Sequence, residues 1–432
     1  MEKYSSYKDS GVKWLGEIPS HWEVISLKHL ANISSGSTPS SSVEKYWNGN
    51  VRWITPADFK TETKYVSCGI RNITEEGVSA CSTVVLPQNS VVFSKRAPVG
   101  QVSITTEELC VNQGCIACVP NSKVISTFLY YLLSVYRNEF DFFSVGTTFR
   151  EISLKEFSSF KVSVPSILEQ ELIVKYLDSA TSQIDTAIEQ QKKMIELLNE
   201  RKQIIINNAV TKGLDPNVKM KDSGVEWIGE IPEGWEVRKL KHFVYITDGT
   251  HDTPRYVDPS NNTYPLVTSR CIVNGVIDLS LANHISEQDY REIATRSYVR
   301  KFDVIMPMIG TVGNPAVVDF DDCVAIKNVA LFRTNGDIYK AKFLKFLLDS
   351  SIVKEQFSMY NKGGVQNFVS QDILKNLTMI VPINVSEIVD FIENEIDKLI
   401  QPISILTNQI ALLQERKQII INEVVTGKVK VS

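Results

Sequence analysis

Hydroxyl, amide and guanidinium side chains gather on glycine-containing loops in both halves of this 432-residue chain. In the first half, Ser37 and Thr38 lie in SSGSTP at 34–39, Lys45 precedes YWNG, Arg52 opens RWITP, and Lys95 and Arg96 follow an apolar run. In the second half, Thr250, His251, Thr253 and Arg255 lie in TDGTHDTPR at 247–255. Arg270 lies in TSR at 268–270, and Lys362 and Gln366 lie in KGGVQN at 362–367. Thr147, in GTT at 146–148, stands where GGV at 363–365 stands in the second half. These are the groups that nucleic-acid contacts need. Guanidinium and amide groups bond base edges in pairs, while hydroxyls, lysines and loop N–H groups hold phosphate oxygens. Any single loop of this kind is ordinarily a turn. Recurrence at corresponding places in both halves is the stronger signal.

Other chemistries find little support. There is no GxxxxGK[ST] phosphate loop for ATP hydrolysis and no glycine-rich loop between a strand and a helix for a nucleotide cofactor. The Asn-Pro-Pro-aromatic and Asp-Pro-Pro-aromatic tetrapeptides, with which amino-methyltransferases bind a target amine, are missing. Asp58 with Glu62, Thr63 and Lys64 is spaced too tightly for a metal-dependent nuclease triplet and reads as a solvated turn. Cys115 and Cys118 form one CxxC with Cys110 nearby. A zinc site needs four ligands, there is no second pair, and the five histidines show no paired spacing. These cysteines read as buried and structural, so neither a metal site nor a catalytic residue is expected. Seven cysteines in apolar runs suit a reducing cytosol. No apolar leader and no run approaching 18 apolar residues appear, so a cytoplasmic protein without a membrane span is expected.

The loops need elements to hold them, and the chain specifies those elements twice. Residues 7–30 read YKDSGVKWLGEIPSHWEVISLKHL and residues 220–243 read MKDSGVEWIGEIPEGWEVRKLKHF, identical at 16 of 24 positions at an offset of 213. Residues 197–214 and 412–429 share 12 of 18 positions around LLxERKQIIIN at an offset of 215. A period this long is two copies of one unit, not a solenoid. Each copy runs as linker, body and long helix. Ile184, Ile188, Gln191, Ile195, Leu198, Lys202, Ile205 and Ala209 recur at spacings of 4 and 3. So do Leu399, Ile403, Leu406, Ile410, Leu413, Lys417, Ile420 and Val424. This is a period-3.5 coiled-coil seam, and antiparallel packing of the two helices would give a rigid spacer between two bodies. Lys202 and Lys417 on the seam read as register-setting or snorkelling lysines, with a docking surface for another subunit as the alternative. Ser166 with Glu169 forms a capping box after Pro165, Gly213 ends the first helix, and Pro402 predicts a kink or restart in the second.

The bodies read as mixed α/β, of α+β type. Strands are expected at 51–55, 83–86, 90–94, 110–119, 264–268 and 324–333, and short helices at 126–137 and 340–356. The domain expectation is a first body at 1–165, a helical region at 166–213, a second body at 214–382 and a helical region at 383–432. Hydrophobic content of 43% and charged content of 22% are ordinary for a soluble protein. A net charge of −4 argues mildly against a stand-alone nucleic-acid binder, although partners can supply positive charge.

The chain resembles the specificity subunits of type I restriction–modification systems. The residues that carry the resemblance are KDSGVKWLGEIPSHWEV and its repeat, SGSTP, YWNG and RWITPAD in the first body, DGTHDTPRY and IGTVGNPAVV in the second, and the LxERKQxII helix ends. The resemblance implies two target-recognition domains, each reading half of a split double-stranded DNA site, and two helical regions packed as an antiparallel coiled coil with pseudo-two-fold symmetry. It also implies docking of two modification (methyltransferase) subunits and then restriction (translocase–nuclease) subunits. S-adenosylmethionine, ATP and magnesium would belong to those partners. The rival readings are a coiled-coil scaffold without DNA specificity and a methyltransferase or nuclease with a degenerate site.

Overall fold

The computed structural model describes residues 2–59, 63–96, 98–144, 151–310, 312–360 and 368–431. The chain divides into two compact units: 1–191 with 408–432, and 192–407. The divisions fall inside the two long helices, Ile167–Lys212 and Val385–Val425. At 1.5 Å per residue these are about 70 and 60 Å long.

In the first unit a five-stranded sheet runs in the order Ala31–Ser35, Cys115–Pro120, Val91–Ser94, Val102–Thr105, Tyr65–Val66. A three-stranded sheet joins Cys110–Val111, Trp47–Ile54 and Arg71–Ile73. Apolar runs such as VVFS and CIACV are buried on both faces because helix Ser126–Val135 covers one side and the second sheet the other. The second unit repeats the plan. Tyr245–Asp248, Val329–Arg333, Val304–Pro307 and Ala316–Val317 form one sheet, and Asn283–Ser286, Thr263–Val267 and Ala325–Ile326 another.

Two strands expected to be continuous are broken. The run 110–119 pairs parallel with Trp53 and Ile54, turns at 112–114, and re-enters the other sheet antiparallel to Ser94. The run 324–333 breaks at Lys327–Asn328 in the same way. An apolar run keeps its composition while it switches sheets, so hydrophobicity alone does not reveal the break. The expected strand 83–86 is reduced to one bridge between Leu86 and Leu109. The helices expected at 126–137 and 340–356 each split into two, Ser126–Val135 with Arg137–Phe143 and Ile338–Leu348 with Ser351–Tyr360.

Each core contains the end of the other repeat's helix. Ile421, Val424 and Val425 sit with Trp22, Phe128 and Phe157 in the first unit. Ile206, Ala209 and Val210 sit with Trp235, Phe343 and Leu374 in the second. Glycine ends both helices in the left-handed region, Gly213 at φ +80° and Gly427 at φ +76°. A Cβ at Gly213 would meet Trp235 at 3.2 Å, and one at Gly427 would meet Trp22 at the same distance. In the first unit the two chain ends meet. Lys430 N–H donates to the Glu2 carbonyl at 2.8 Å, and the Tyr7 hydroxyl donates to the Lys428 carbonyl at 3.1 Å.

Every seam position, from Ile184 to Ala209 and from Leu399 to Val424, is buried or half-buried. Between 189 and 201 every residue off the seam is exposed, as is every one between 400 and 419. Lys417 Nζ bonds Asp185 at 2.6 Å, and Gln191 Nε2 donates to Gln409 at 3.2 Å, so numbers rise along one helix as they fall along the other. Lys417 is half-buried on the seam and pairs with Asp185. Lys202 is half-buried, and its charge adds to burial in pushing the Lys345 amine below its ordinary range. The second helix continues unbroken through Pro402, so the expected restart does not occur. Only half of the expected capping box forms. Ser166 Oγ accepts from Glu169 N–H at 3.4 Å, but the Glu169 carboxylate is taken by Tyr4, His21 and Trp22.

Candidate nucleic-acid interface

The sheet switch creates a three-loop cluster in each body. In the first, Ser37 N–H donates to the Val111 carbonyl at 3.0 Å, Asn112 N–H to Ile54 at 2.9 Å and Gly36 N–H to Cys115 at 3.4 Å. In the second, Thr250 N–H donates to Ile326 at 3.0 Å, Lys327 N–H to Val267 at 3.0 Å and Gly249 N–H to Val329 at 3.0 Å. The loops after three strands are tied by corresponding backbone bonds at offsets of 213 to 215. The approach is close enough to require glycine. A Cβ at Gly36 would collide with the Val111 carbonyl, and one at Gly249 with that of Ile326. A turn caps the middle loop each time, with Thr55 bonded to Asp58 and Thr268 to Cys271. Overpacking against backbone typically costs about 1–3 kcal/mol, so Gly36→Ala and Gly249→Ala are each expected to lower stability by that amount. Denaturant unfolding of the full chain checks this, and an unchanged midpoint for both would show that the loops yield freely.

Different side chains stand on this common frame. Thr38 donates to Gln113 Oε1 in the first body. In the second, His251 Nδ1 lies 3.0 Å from Asn328 Oδ1, and its Nε2 lies 3.1 Å from Asp248 Oδ2. Asp248 is 6% exposed and also holds Arg296. Thr253 bonds Lys327. Thr250, Thr253, Pro254, Asp289, Ile293 and Arg296 line a pocket of about 240 Å³ behind this loop. Lys95 N–H meets the Gly114 carbonyl at 2.9 Å, and Met308 N–H meets the Asn328 carbonyl at 3.3 Å. The next bridge pairs Arg96 with Glu151 in one body and Ile309 with Phe368 in the other.

A family model described as type I restriction modification DNA specificity domain matches residues 19–197 and 232–418, most of the chain in two copies. The chain belongs to this family. It is a type I DNA-specificity subunit. It is 28% identical over 432 residues to the type I restriction enzyme MjaIX specificity subunit of Methanocaldococcus jannaschii, covering 96% of this chain and 95% of that one. The EcoR124I/EcoR124II specificity subunit of Escherichia coli is 28% identical over 204 residues, 45% of this chain and 49% of that one. A chain solved in work on complex assembly and conformational transition of the type I R-M system shares the fold at a TM-score of 0.66 and 13% identity, covering 95% of this chain and 99% of that chain.

For a type I specificity chain, the first body's cluster holds Ser37 and Thr38, and the second body's holds Thr250, His251 and Thr253. The other expected residues lie apart or are tied within the protein. Lys45 pairs with Glu76 at 2.8 Å and Arg52 with Glu107 at 3.1 Å. Lys95 bonds Glu151 at 2.9 Å, with Arg96 3.8 Å from the same carboxylate. Arg270 donates to the Leu281 carbonyl and to Asn283. Among the described residues the exposed Arg255 makes no ion pair. Thr147, Lys362 and Gln366 lie outside the described residues. Gln113, Asn328, Lys327 and Asp248 were not expected. The signal for Gln113 and Asn328 was an amide inside an apolar run, at offset 215.

The cysteines lie on a strand whose side chains alternate. Cys115 faces one core cluster and Cys118 another, so the pair cannot share a metal. Burial pushes both thiols up, and that of Cys110 to about 11. The Asp58 carboxylate accepts from Thr55 and from Ile70 N–H, as a turn residue does. Among the described residues no group of three metal-binding side chains occurs, and no helix is long and apolar enough to cross a membrane.

Proposed function

We propose that the two bodies read the two dissimilar halves of a bipartite double-stranded DNA site. The long helices space the bodies as an antiparallel coiled coil of pseudo-two-fold symmetry. The observation that carries this reading is the pair of three-loop clusters, hydrogen-bonded alike and furnished differently. The Asp185–Lys417 and Gln191–Gln409 contacts and the burial of the seam support the coil. The chain is non-catalytic and cytoplasmic in this reading. Two modification subunits dock on it, restriction subunits join them, and S-adenosylmethionine, ATP and magnesium belong to those partners. Relatives named as specificity subunits of type I restriction enzymes support the assignment.

Each neutralised phosphate releases counterions and raises affinity, and a chain of net charge −4 neutralises few. The lone chain is therefore expected to bind random duplexes weakly at physiological salt, and to select a split motif once modification subunits are added. Gel shift with random duplexes, read by sequencing, checks both arms. Tight sequence-specific binding by the lone chain would contradict the charge argument. Absence of any selected motif in the assembled complex would contradict the assignment.

A further inference from the structure

We propose that Gln113 and Asn328 are matched base-reading amides, and that each half-site therefore contains an A·T pair read in the major groove. The inference rests on the two-reader assignment and adds the residues and the base. The turn at the sheet switch has three residues in the first body and two in the second, 112–114 against Lys327–Asn328. Yet each turn places one side-chain amide opposite the second residue after the close-approach glycine: Gln113 opposite Thr38, and Asn328 opposite His251. Around these amides the backbone bonds of Gly36, Ser37 and Asn112 match those of Gly249, Thr250 and Lys327, and Asn328 N–H also donates to the Thr250 carbonyl at 3.1 Å.

An amide carries one acceptor and two donors, and in a fixed orientation it matches adenine. Its oxygen takes the N6 amino proton and its nitrogen donates to N7. Fixing the orientation is what the neighbours do. The Thr38 hydroxyl donates to the Gln113 oxygen, which leaves both N–H donors and one oxygen lone pair for a base. The His251 ring abuts the Asn328 oxygen, and Asp248, buried behind it, holds the opposite ring nitrogen. Asp248 is thus a positioning residue for the second reader. Ser35 stands 213 residues before it, so the first body reaches the same end with a hydroxyl neighbour alone. Gln113 is exposed and Asn328 half-buried, so neither amide is spent on the core.

The test is a base-resolution methylation map of the full chain with its modification subunits, for wild type, Gln113→Ala, Gln113→Glu and Asn328→Gly. Glycine is chosen at 328 because the backbone there has φ 56°, which alanine tolerates poorly. Wild type yielding one bipartite motif establishes the two-reader assignment independently of the variants. Gln113→Ala is expected to lower discrimination about ten- to a hundredfold at one A·T pair of one half-site. Asn328→Gly is expected to do the same at one A·T pair of the other. Gln113→Glu, which can only accept, is expected to move preference at its position toward C·G. Loss of preference at a G·C pair, uniform weakening across all sites, or an unchanged motif with normal methylation would each overturn the proposal.

Discussion

A chain with four extra residues after Gln191 and four after Thr407 is expected to modify a site whose spacer is about two base pairs longer, with both half-sites unchanged. The chain crosses from one compact unit to the other at these two points. Four helical residues add about 6 Å, and stacked bases rise about 3.4 Å each. The loop clusters lie wholly within one unit or the other, so the insertion leaves their hydrogen bonds intact. Both helices must be lengthened, because an insertion in one alone keeps Asp185 and Gln191 on their partners but puts the two helices out of step in the second unit. A methylome of cells carrying the variant decides. A changed half-site with an unchanged spacer would show that the helices do not set the distance.

The half-chain 1–214, supplied with modification subunits, is expected to dimerise and modify an interrupted palindrome of the first body's half-site and its inverse. The first unit is incomplete without Ile421, Val424 and Val425. A second half-chain supplies Ile206, Ala209 and Val210, which stand 215 residues earlier and fill the corresponding place in the second unit. The register contact survives too, because a second copy's Lys202 takes the place of Lys417 opposite Asp185. Such a pairing is isologous. It is weaker than the native one. Ala209 for Val424 removes about 1–2 kcal/mol of burial in each body, and Gln191 for the half-buried Leu406 on the seam removes about 1 more. The dimer should therefore depend on concentration and be tightened by the docked subunits. Sedimentation and a methylation map check this. A folded, monomeric half-chain that directs no methylation would refute it.

Much of the frame was legible because duplication makes its own control. Residues matching at offsets of 213 to 217 had to hold corresponding places, and the seam positions from Ile184 to Ala209 are buried or half-buried while their neighbours between 189 and 201 are exposed. The cluster itself was only half legible. Thr38 and His251 stood out as polar residues beside glycine. Gln113 and Asn328 did not, because a strand that leaves one sheet and enters another keeps an apolar composition on both sides of the turn. Lys95 and Arg96 read as exposed charges in the sequence; in the structure Lys95 is nearly covered and both face Glu151. The helix ends were read as seam alone. Their widened burial at Ile206, Val210, Ile421 and Val425 comes from packing into a body, which a period of 3.5 does not encode.

The most direct measurement is a methylation map of the assembled complex carrying Arg52→Ala or Arg255→Ala. Arg52 pairs with Glu107 at the surface, and among the described residues Arg255 makes no ion pair, so neither change should disturb folding. Arg52→Ala is expected to relax or weaken only the half-site of the first body, and Arg255→Ala only that of the second, by about 1–3 kcal/mol where the residue reads a guanine. A single substitution that altered base preference in both halves of the site would contradict two independent readers on one duplicated frame.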